Sequence, residues 1–267
     1  MKKFEGVMLC TDIDGTLTND KNNVSEENIE AIRYFTQHGG IFTIATGRIP
    51  FTIPSVLNEF IKIPVVCQNG SAIYDVNKKE YVSYKSIDRR AIEITKEISQ
   101  KFPFSGIEFY RLYDIAFVKE NNATSRHHKL ENISCVTHLD CNIEDVKGPI
   151  IKILFAQEEN ETERMYTELE NSVYQSEYKL LKSHKWYYEI LRKDVNKGNA
   201  LKELCGILNV YLKNVITAGD NDNDIELIQD SGLSYATQNA TENLKKVADR
   251  ITKSNNDHAI ADIIYRI

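Results

Sequence analysis

The segment Val7-Met8-Leu9-Cys10-Thr11-Asp12-Ile13-Asp14-Gly15-Thr16-Leu17-Thr18 governs the reading of the whole chain. Val7 to Thr11 is a short apolar run of the kind that forms a buried strand, and two acids follow it two residues apart. In an open parallel sheet, ligands bind beyond the carboxyl ends of the strands. Acids at such an end can meet one metal ion, and an Asp side chain there can be a nucleophile that forms an acyl phosphate. Two carboxylates facing a phosphate repel it unless a cation intervenes. Mg2+ is the expected cation, because it favours oxygen ligands and substrate phosphate. The competing structural reading is an Asx-turn closed by Gly15 at a strand end.

Outward from this segment, strands and helices alternate. Ser25 is a natural N-cap, with Glu26 and Glu27 in the first turn. Ile29, Ile32 and Phe35 or Thr36 recur at helical spacing, and Gly39-Gly40 ends the helix. Ile41 to Ala45 reads as the next strand, Pro54 to Phe60 as a helix, and Pro64 to Cys67 as a strand. This alternation predicts a parallel sheet with helices on both faces. From about Tyr81 the grammar changes. Phe104 to Tyr110 and Asp114 to Lys119 read as a strand pair around a turn, and Pro149 to Ala156 is a long β-rich run. Glu161 to Asn171 reads as a helix and Tyr178 to Leu191 as strand-like. After Lys197 the first grammar resumes, with a helix at Asn199 to Leu208, a strand at Asn214 to Ala218, and a helix beginning near Asp222. The expected fold is therefore α/β: a doubly wound, Rossmann-like parallel-sheet core from residues 1–82 and 191–267, interrupted by an α+β domain at 83–190.

Three further motifs bear on chemistry. Gly219-Asp220-Asn221-Asp222-Asn223-Asp224 follows the apolar run Val215 to Ala218, so acids again sit at a strand's carboxyl end. An EF-hand loop does not fit, because the required Gly and Glu spacings are missing. Two acidic strand ends in one chain favour a shared metal site over two solvated loops. Thr46-Gly47-Arg48 ends the second strand, where a hydroxyl and backbone N–H groups can bind phosphate oxygens; an ordinary strand-to-helix turn is the alternative. Lys197-Gly198 stands at the start of a helix, where a lysine can add positive charge to an anion site at the helix N-terminus; a solvated surface lysine is the alternative.

The rest of the composition narrows the class. A formal net charge of −6 speaks against a nucleic-acid binder held by phosphate contacts. No apolar run reaches membrane-spanning length, and acids occupy the place where a signal-peptide cleavage site would stand. Cys10, Cys67, Cys135, Cys141 and Cys205 include no CxxC pair. They read as free thiols of a protein kept in the reducing cytoplasm.

Taken in order, these motifs resemble those of the haloacid-dehalogenase-like superfamily of phosphatases, in particular its Cof-type branch. The resemblance spans nearly the whole chain. It matches Asp12 to the family nucleophile, Asp14 to the general acid/base, Thr46 to the second, phosphate-binding motif, Lys197 to the third-motif lysine and Asp220 to the fourth-motif metal ligand. Asn223 and Asp224 match the Asn-Asp pair that follows. Asn69-Gly70, Lys197-Gly198-Asn199-Ala200-Leu201 and Ala248-Asp249 also resemble Cof-type features. The chain departs from the branch in two places. Thr237-Gln238 stands where many members have Met-Gly before Asn239-Ala240, and His258 stands where Gly is common.

The resemblance implies an Mg2+-dependent phosphatase acting on a small phosphorylated metabolite, a sugar phosphate or phosphorylated cofactor, through an aspartyl phosphate. It gives the metal the carboxylates of Asp12 and Asp220 and the main-chain carbonyl of Asp14, with Asp224 in or beside the metal shell. Thr46, Gly47, Arg48, Lys197 and Asn223 become the phosphate- or substrate-binding set. The inserted domain becomes a specificity cap, with Tyr110, Arg111, His127, His128, Lys185 and Trp186 as candidate contacts to the leaving group; the alternative for each is a surface or cap-core residue. Two rivals share the motifs: a phosphotransferase or mutase on the same scaffold, and a regulator that binds a phospho-ligand without turnover.

Overall fold

A strand of apolar residues whose alternate side chains both need cover must lie between two layers, and Met8–Thr11 does. The computed structural model describes residues 2–130, 133 and 137–267; Cys135 lies outside the described residues. In chain order the first elements are β1 (Met8–Thr11), α1 (Glu26–Gln37), β2 (Ile41–Ile44), β3 (Val65–Cys67), β4 (Ala72–Asp75) and β5 (Glu80–Tyr84). Next come α2 (Arg90–Lys101), β6 (Gly106–Arg111), β7 (Asp114–Lys119), α3 (Asn122–Leu130), β8 (Thr137–Asp140), β9 (Ile150–Ala156), α4 (Glu159–Leu169), α5 (Tyr174–Glu177), β10 (Tyr178–His184) and β11 (Tyr187–Arg192). The chain ends with α6 (Lys197–Leu208), β12 (Val215–Gly219), α7 (Ile225–Gln229), β13 (Leu233–Ala236), α8 (Glu242–Val247), β14 (Arg250–Ile251) and α9 (Ala259–Arg266). Two compact units result: Met1–Ser83 with Asn196–Ile267, and Tyr84–Val195.

The first unit is built on a parallel sheet of order β14-β13-β12-β1-β2. Leu9, Phe42, Ile44 and Ala218 join a core with Ile32 and Phe35 of α1 and Ile260 and Ile264 of α9. Met8, Cys10 and Val215 join the opposite core with Ala200, Leu201 and Leu204 of α6 and Leu227 of α7. The doubly wound core read from the sequence is thus present, with its two apolar faces separated by the pleat. β1 has β2 on one side and β12 on the other, so the strand order reverses beside it. That reversal opens a crevice at the carboxyl ends of β1 and β12.

The caps follow local chemistry. Ser25 Oγ accepts from the Asn28 N–H at 3.3 Å to open α1, and the Asn196 side chain accepts from the Asn199 N–H at 2.6 Å to open α6. Two readings need correction. The helix expected over Pro54 to Phe60 is only a 3-10 stretch, Ser55–Glu59, behind Pro54. The strand expected at Pro64 to Cys67 does not extend the parallel sheet. Val65–Cys67 pairs antiparallel with Ala72–Asp75 in a separate three-stranded sheet, which a single parallel bridge, Ala45 to Val66, links to the first.

The second unit is α+β. Its six-stranded sheet has the order β10-β11-β9-β6-β7-β8, antiparallel except for the parallel β7–β8 edge. One face carries α2 and α4: Ile94, Ile98, Met165 and Leu169 share a core with Phe109, Ile153, Phe155 and Ile190. Among the described residues no helix is long and apolar enough to cross a membrane.

Candidate active site

The carboxyl ends of β1 and β12 are locked in register before any side chain is placed. The Asp12 N–H donates to the Ala218 carbonyl at 2.9 Å, which continues the β1–β12 ladder one residue past the strand. Asp12 and Asp220 therefore leave adjacent strands side by side. The first helical turn of α6 brings Lys197, 1 % exposed, against the same point. Lys197 Nζ donates to Asp12 Oδ1 at 2.7 Å and to Asp224 Oδ1 at 2.7 Å.

The loop after β12 is fastened internally. Asp224 Oδ2 accepts from the backbone N–H groups of Asp220 at 3.1 Å and Asn221 at 3.3 Å. With Oδ1 on Lys197, both oxygens of this buried carboxylate are engaged. Thr16 Oγ1 donates to Asp220 Oδ1 at 2.8 Å. Gly15 has φ +77°, and a Cβ there would lie 2.4 Å from Asp220 Oδ2. Glycine is needed here both for the left-handed backbone and for the close approach.

One carboxylate oxygen from each of Asp12, Asp220 and Asp224 lies within 4.8 Å of the others. Burial pushes the Asp12 carboxyl well above the usual carboxylate range; Lys197 draws it back, and Asp224 and Asp220 raise it further. Burial, joined by Asp224, pushes Asp220 up to about 7. Burial opposes the charge on Lys197, but Asp12 and Asp224 more than offset it and hold the ammonium above its usual range. Two buried acids, Asp12 and Asp224, and the half-buried Asp220 crowd against one ammonium, and a cation among them would relieve their mutual repulsion. The donors are all carboxylate oxygens, which suits Mg2+ better than a metal preferring nitrogen or sulfur.

Asp14 is set apart. Its side chain is 49 % exposed and is not one of the three clustered acids. It instead accepts from Arg48 Nε at 2.9 Å and Nη2 at 2.6 Å, while Arg48 Nη1 donates to the Thr52 carbonyl at 2.9 Å. Arg48, expected among the phosphate-binding groups, is thus engaged with Asp14 and the Thr52 backbone. Thr46 is fully buried, and its hydroxyl accepts from the Arg48 N–H at 3.1 Å, which closes the turn through Gly47.

Asn223 Nδ2 donates to Asn69 Oδ1 at 3.0 Å. Asn69 lies in a turn where Gln68, Asn69 and Gly70 all take positive φ, at 52°, 56° and 93°. A Cβ on Gly70 would meet the Asn196 carbonyl at 2.1 Å, so this turn packs directly on the start of α6. Asn69-Gly70 was legible as a turn, but its link to Asn223 was not. Thr16 was missed as a site residue, although its hydroxyl stands only four residues after Asp12 in the decisive segment. His258, where the branch commonly has Gly, does adopt the left-handed φ of 62°, and its Nδ1 lies 2.9 Å from Ser25 Oγ.

The family model described as haloacid dehalogenase-like hydrolase matches residues 9–264. The chain belongs to that family and is a phosphatase of its Cof-type branch. Phosphatase YwpJ of Bacillus subtilis is 27 % identical over 96 % of this chain and 98 % of its own length. 5-amino-6-(5-phospho-D-ribitylamino)uracil phosphatase YwtE of the same organism is 25 % identical over 96 % of each chain. The crystal structure of a haloacid dehalogenase-like hydrolase from Bacteroides thetaiotaomicron has the same fold, with a TM-score of 0.84 over 97 % of this chain and 98 % of that one, at 24 % identity.

Proposed function

We propose that this protein hydrolyses a small phosphate monoester through an aspartyl phosphate on Asp12, with Mg2+ at the acids of the β1 and β12 ends. The observation that carries the reading is the Lys197 ammonium held 2.7 Å from both Asp12 and Asp224, with Asp220 in the same cluster. Asp12 and Asp220 would hold the ion, with Asp224 beside them. When bound, Mg2+ supplies the positive charge that lets an anionic phosphoryl group approach these acids.

The chain's own groups divide the remaining work. An Asp12 carboxylate oxygen attacks phosphorus, forming the acyl phosphate as the bond to the leaving oxygen breaks. Asp14 gives its proton to that oxygen. Asp14 then takes a proton from water as the water attacks phosphorus, which releases inorganic phosphate and restores Asp12. Lys197 offsets negative charge on the transferring oxygens, while Thr46 and the Gly47 backbone offer donors to them. Arg48 donates to both Asp14 oxygens and so fixes the direction of the carboxyl group.

The substrate class we infer is a phosphorylated sugar, polyol or cofactor precursor. YwtE carries the name of a phosphoribityl substrate, and a net charge of −6 gives no support for a polyanion. The test is inorganic phosphate release across a panel of phosphorylated metabolites, with Asp12→Asn as control. Phosphate release by the parent and none by the variant supports the reading. Transfer to a second sugar hydroxyl without phosphate release would replace hydrolysis by phosphotransfer.

A further inference from the structure

A second cluster of metal-binding side chains lies wholly inside the Tyr84–Val195 unit. Glu108 sits on β6, an interior strand of the six-stranded sheet, and its side chain is 0 % exposed. Two adjacent residues of α3 converge on it. His128 Nε2 lies 2.8 Å from Glu108 Oε1, and His127 Nδ1 lies 3.4 Å from Glu108 Oε2. Neighbouring side chains on a helix diverge by roughly 100°. These two meet one group only because the carboxylate stands between them and presents an oxygen to each. One donor atom from each of Glu108, His127 and His128 lies within 4.8 Å of the others.

We propose that Glu108, His127 and His128 form a transition-metal site of the zinc class that pins α3 to β6. Two imidazoles and one carboxylate make a borderline nitrogen–oxygen donor set, which favours Zn2+ and its neighbours over Mg2+. In a tetrahedral site with bonds of about 2.0–2.2 Å, ligand atoms stand about 3.3–3.6 Å apart. The present 2.8 Å contact is hydrogen-bonded, so the ion replaces a shared proton and the donors spread by about 0.5–0.8 Å. The fourth position is left for water.

The surroundings suit a held ion. Tyr110 is fully buried and donates its hydroxyl to Glu108 Oε2 at 2.9 Å, the kind of outer contact that orients a ligating carboxylate. The Tyr187 ring stands 4.5 Å from that of His127. The nearby cation, Lys152, lies over the Tyr110 ring but is paired with Glu189 at 2.9 Å, so its charge is compensated locally. His128 is 21 % exposed, which gives an ion a way in from solvent.

The test is Co2+ and Zn2+ binding by the full chain in saturating Mg2+, on an Asp220→Asn background that weakens the core acids as competitors. The expected result is one tightly held Co2+ per chain with the intense visible bands of tetrahedral coordination, displaced by Zn2+. His128→Ala changes a partly exposed ligand and should keep its circular dichroism. It should lose at least tenfold in affinity together with those bands, and Tyr110→Phe should lose about 10–100-fold. Zn2+ should raise Tm for the parent and not for His128→Ala. Equal Co2+ affinity in parent and His128→Ala, or octahedral bands only, would overturn the site. Phosphate release plays no part in these readings, so they stand apart from the test of the phosphatase mechanism.

Discussion

Arg48 and Asp14 are joined by two parallel hydrogen bonds, Nε to Oδ2 at 2.9 Å and Nη2 to Oδ1 at 2.6 Å, with a third from Nη1 to the Thr52 carbonyl at 2.9 Å. This planar fork fixes the half-exposed Asp14 side chain in direction as well as in charge. Lysine keeps the charge and loses the fork. Arg48→Lys should lower kcat about tenfold, with a smaller change in KM. Steady-state kinetics on one good substrate check this; an unchanged kcat would show that Arg48 does not position Asp14.

Asp12 and Asp14 should fail differently. Asp12→Asn should abolish turnover and leave no acid-stable phosphoprotein that base or hydroxylamine cleaves, because an amide cannot form the acyl phosphate. Asp14→Asn should lose about 10²–10⁴-fold in rate, the range for one proton-transfer group. Rapid-quench trapping of labelled protein separates the two, and near-parent turnover by Asp12→Asn, with deamidation excluded, rules it out as the nucleophile.

Lys197 is a test of stability as well as rate. Its ammonium is 1 % exposed and serves both Asp12 and Asp224. Lys197→Met removes one partner from a buried ionic cluster, which costs about 3–5 kcal/mol. Urea unfolding should show that loss, and added Mg2+ should recover part of it by neutralising the same acids. Unfolding midpoints equal to the parent's would mean that the acids are compensated elsewhere.

Chelation should silence the enzyme without unfolding it. Asp12, Asp220 and Asp224 are held by Lys197, Thr16 and the backbone N–H groups of the Asp220 loop, so the cluster does not depend on the ion for its shape. Activity should vanish with a chelator and return with Mg2+, while circular dichroism stays constant. At an Mg2+ concentration of about 100 Kd the ion should add about 2.7 kcal/mol of stability. Full activity of metal-free protein would defeat the metal assignment.

Gly15→Ala should act through Asp220. The new Cβ would stand 2.4 Å from Asp220 Oδ2 in a backbone with φ +77°. The expected outcome is a weaker Mg2+ requirement curve, shifted at least tenfold to higher concentration, with a folded protein. A parent-like curve would show that the loop relaxes without moving the carboxylate.

Three of the candidate leaving-group contacts have partners inside the inserted domain. Tyr110 and His127 are buried; Tyr110 binds Glu108, and His127 packs on Tyr187. Arg111 is engaged with Asp114 and the Lys147 carbonyl. Position in a segment was all the sequence offered for these residues, and burial depends on which sheet face each one meets.

Much of the core was legible because its signals are local. An apolar run too short for a helix, followed by Asp12 and Asp14, identifies a strand end; Ser25 with Glu26 and Glu27 identifies a helix start. Both arise from interactions within a few residues, so they survive without a neighbour in view. The same reasoning overreached at Pro54 to Phe60, where a helical pattern yielded only a 3-10 stretch, and it left α2 and α3 unread inside the inserted domain. What tertiary structure alone decided is which distant groups share a point in space. Thr16 on Asp220, Asn69 on Asn223, Arg48 on Asp14 and the two α3 imidazoles on Glu108 are contacts between segments whose separation along the chain encodes no distance. Sheet order and helix packing bring them together, and a sequence read one window at a time contains neither.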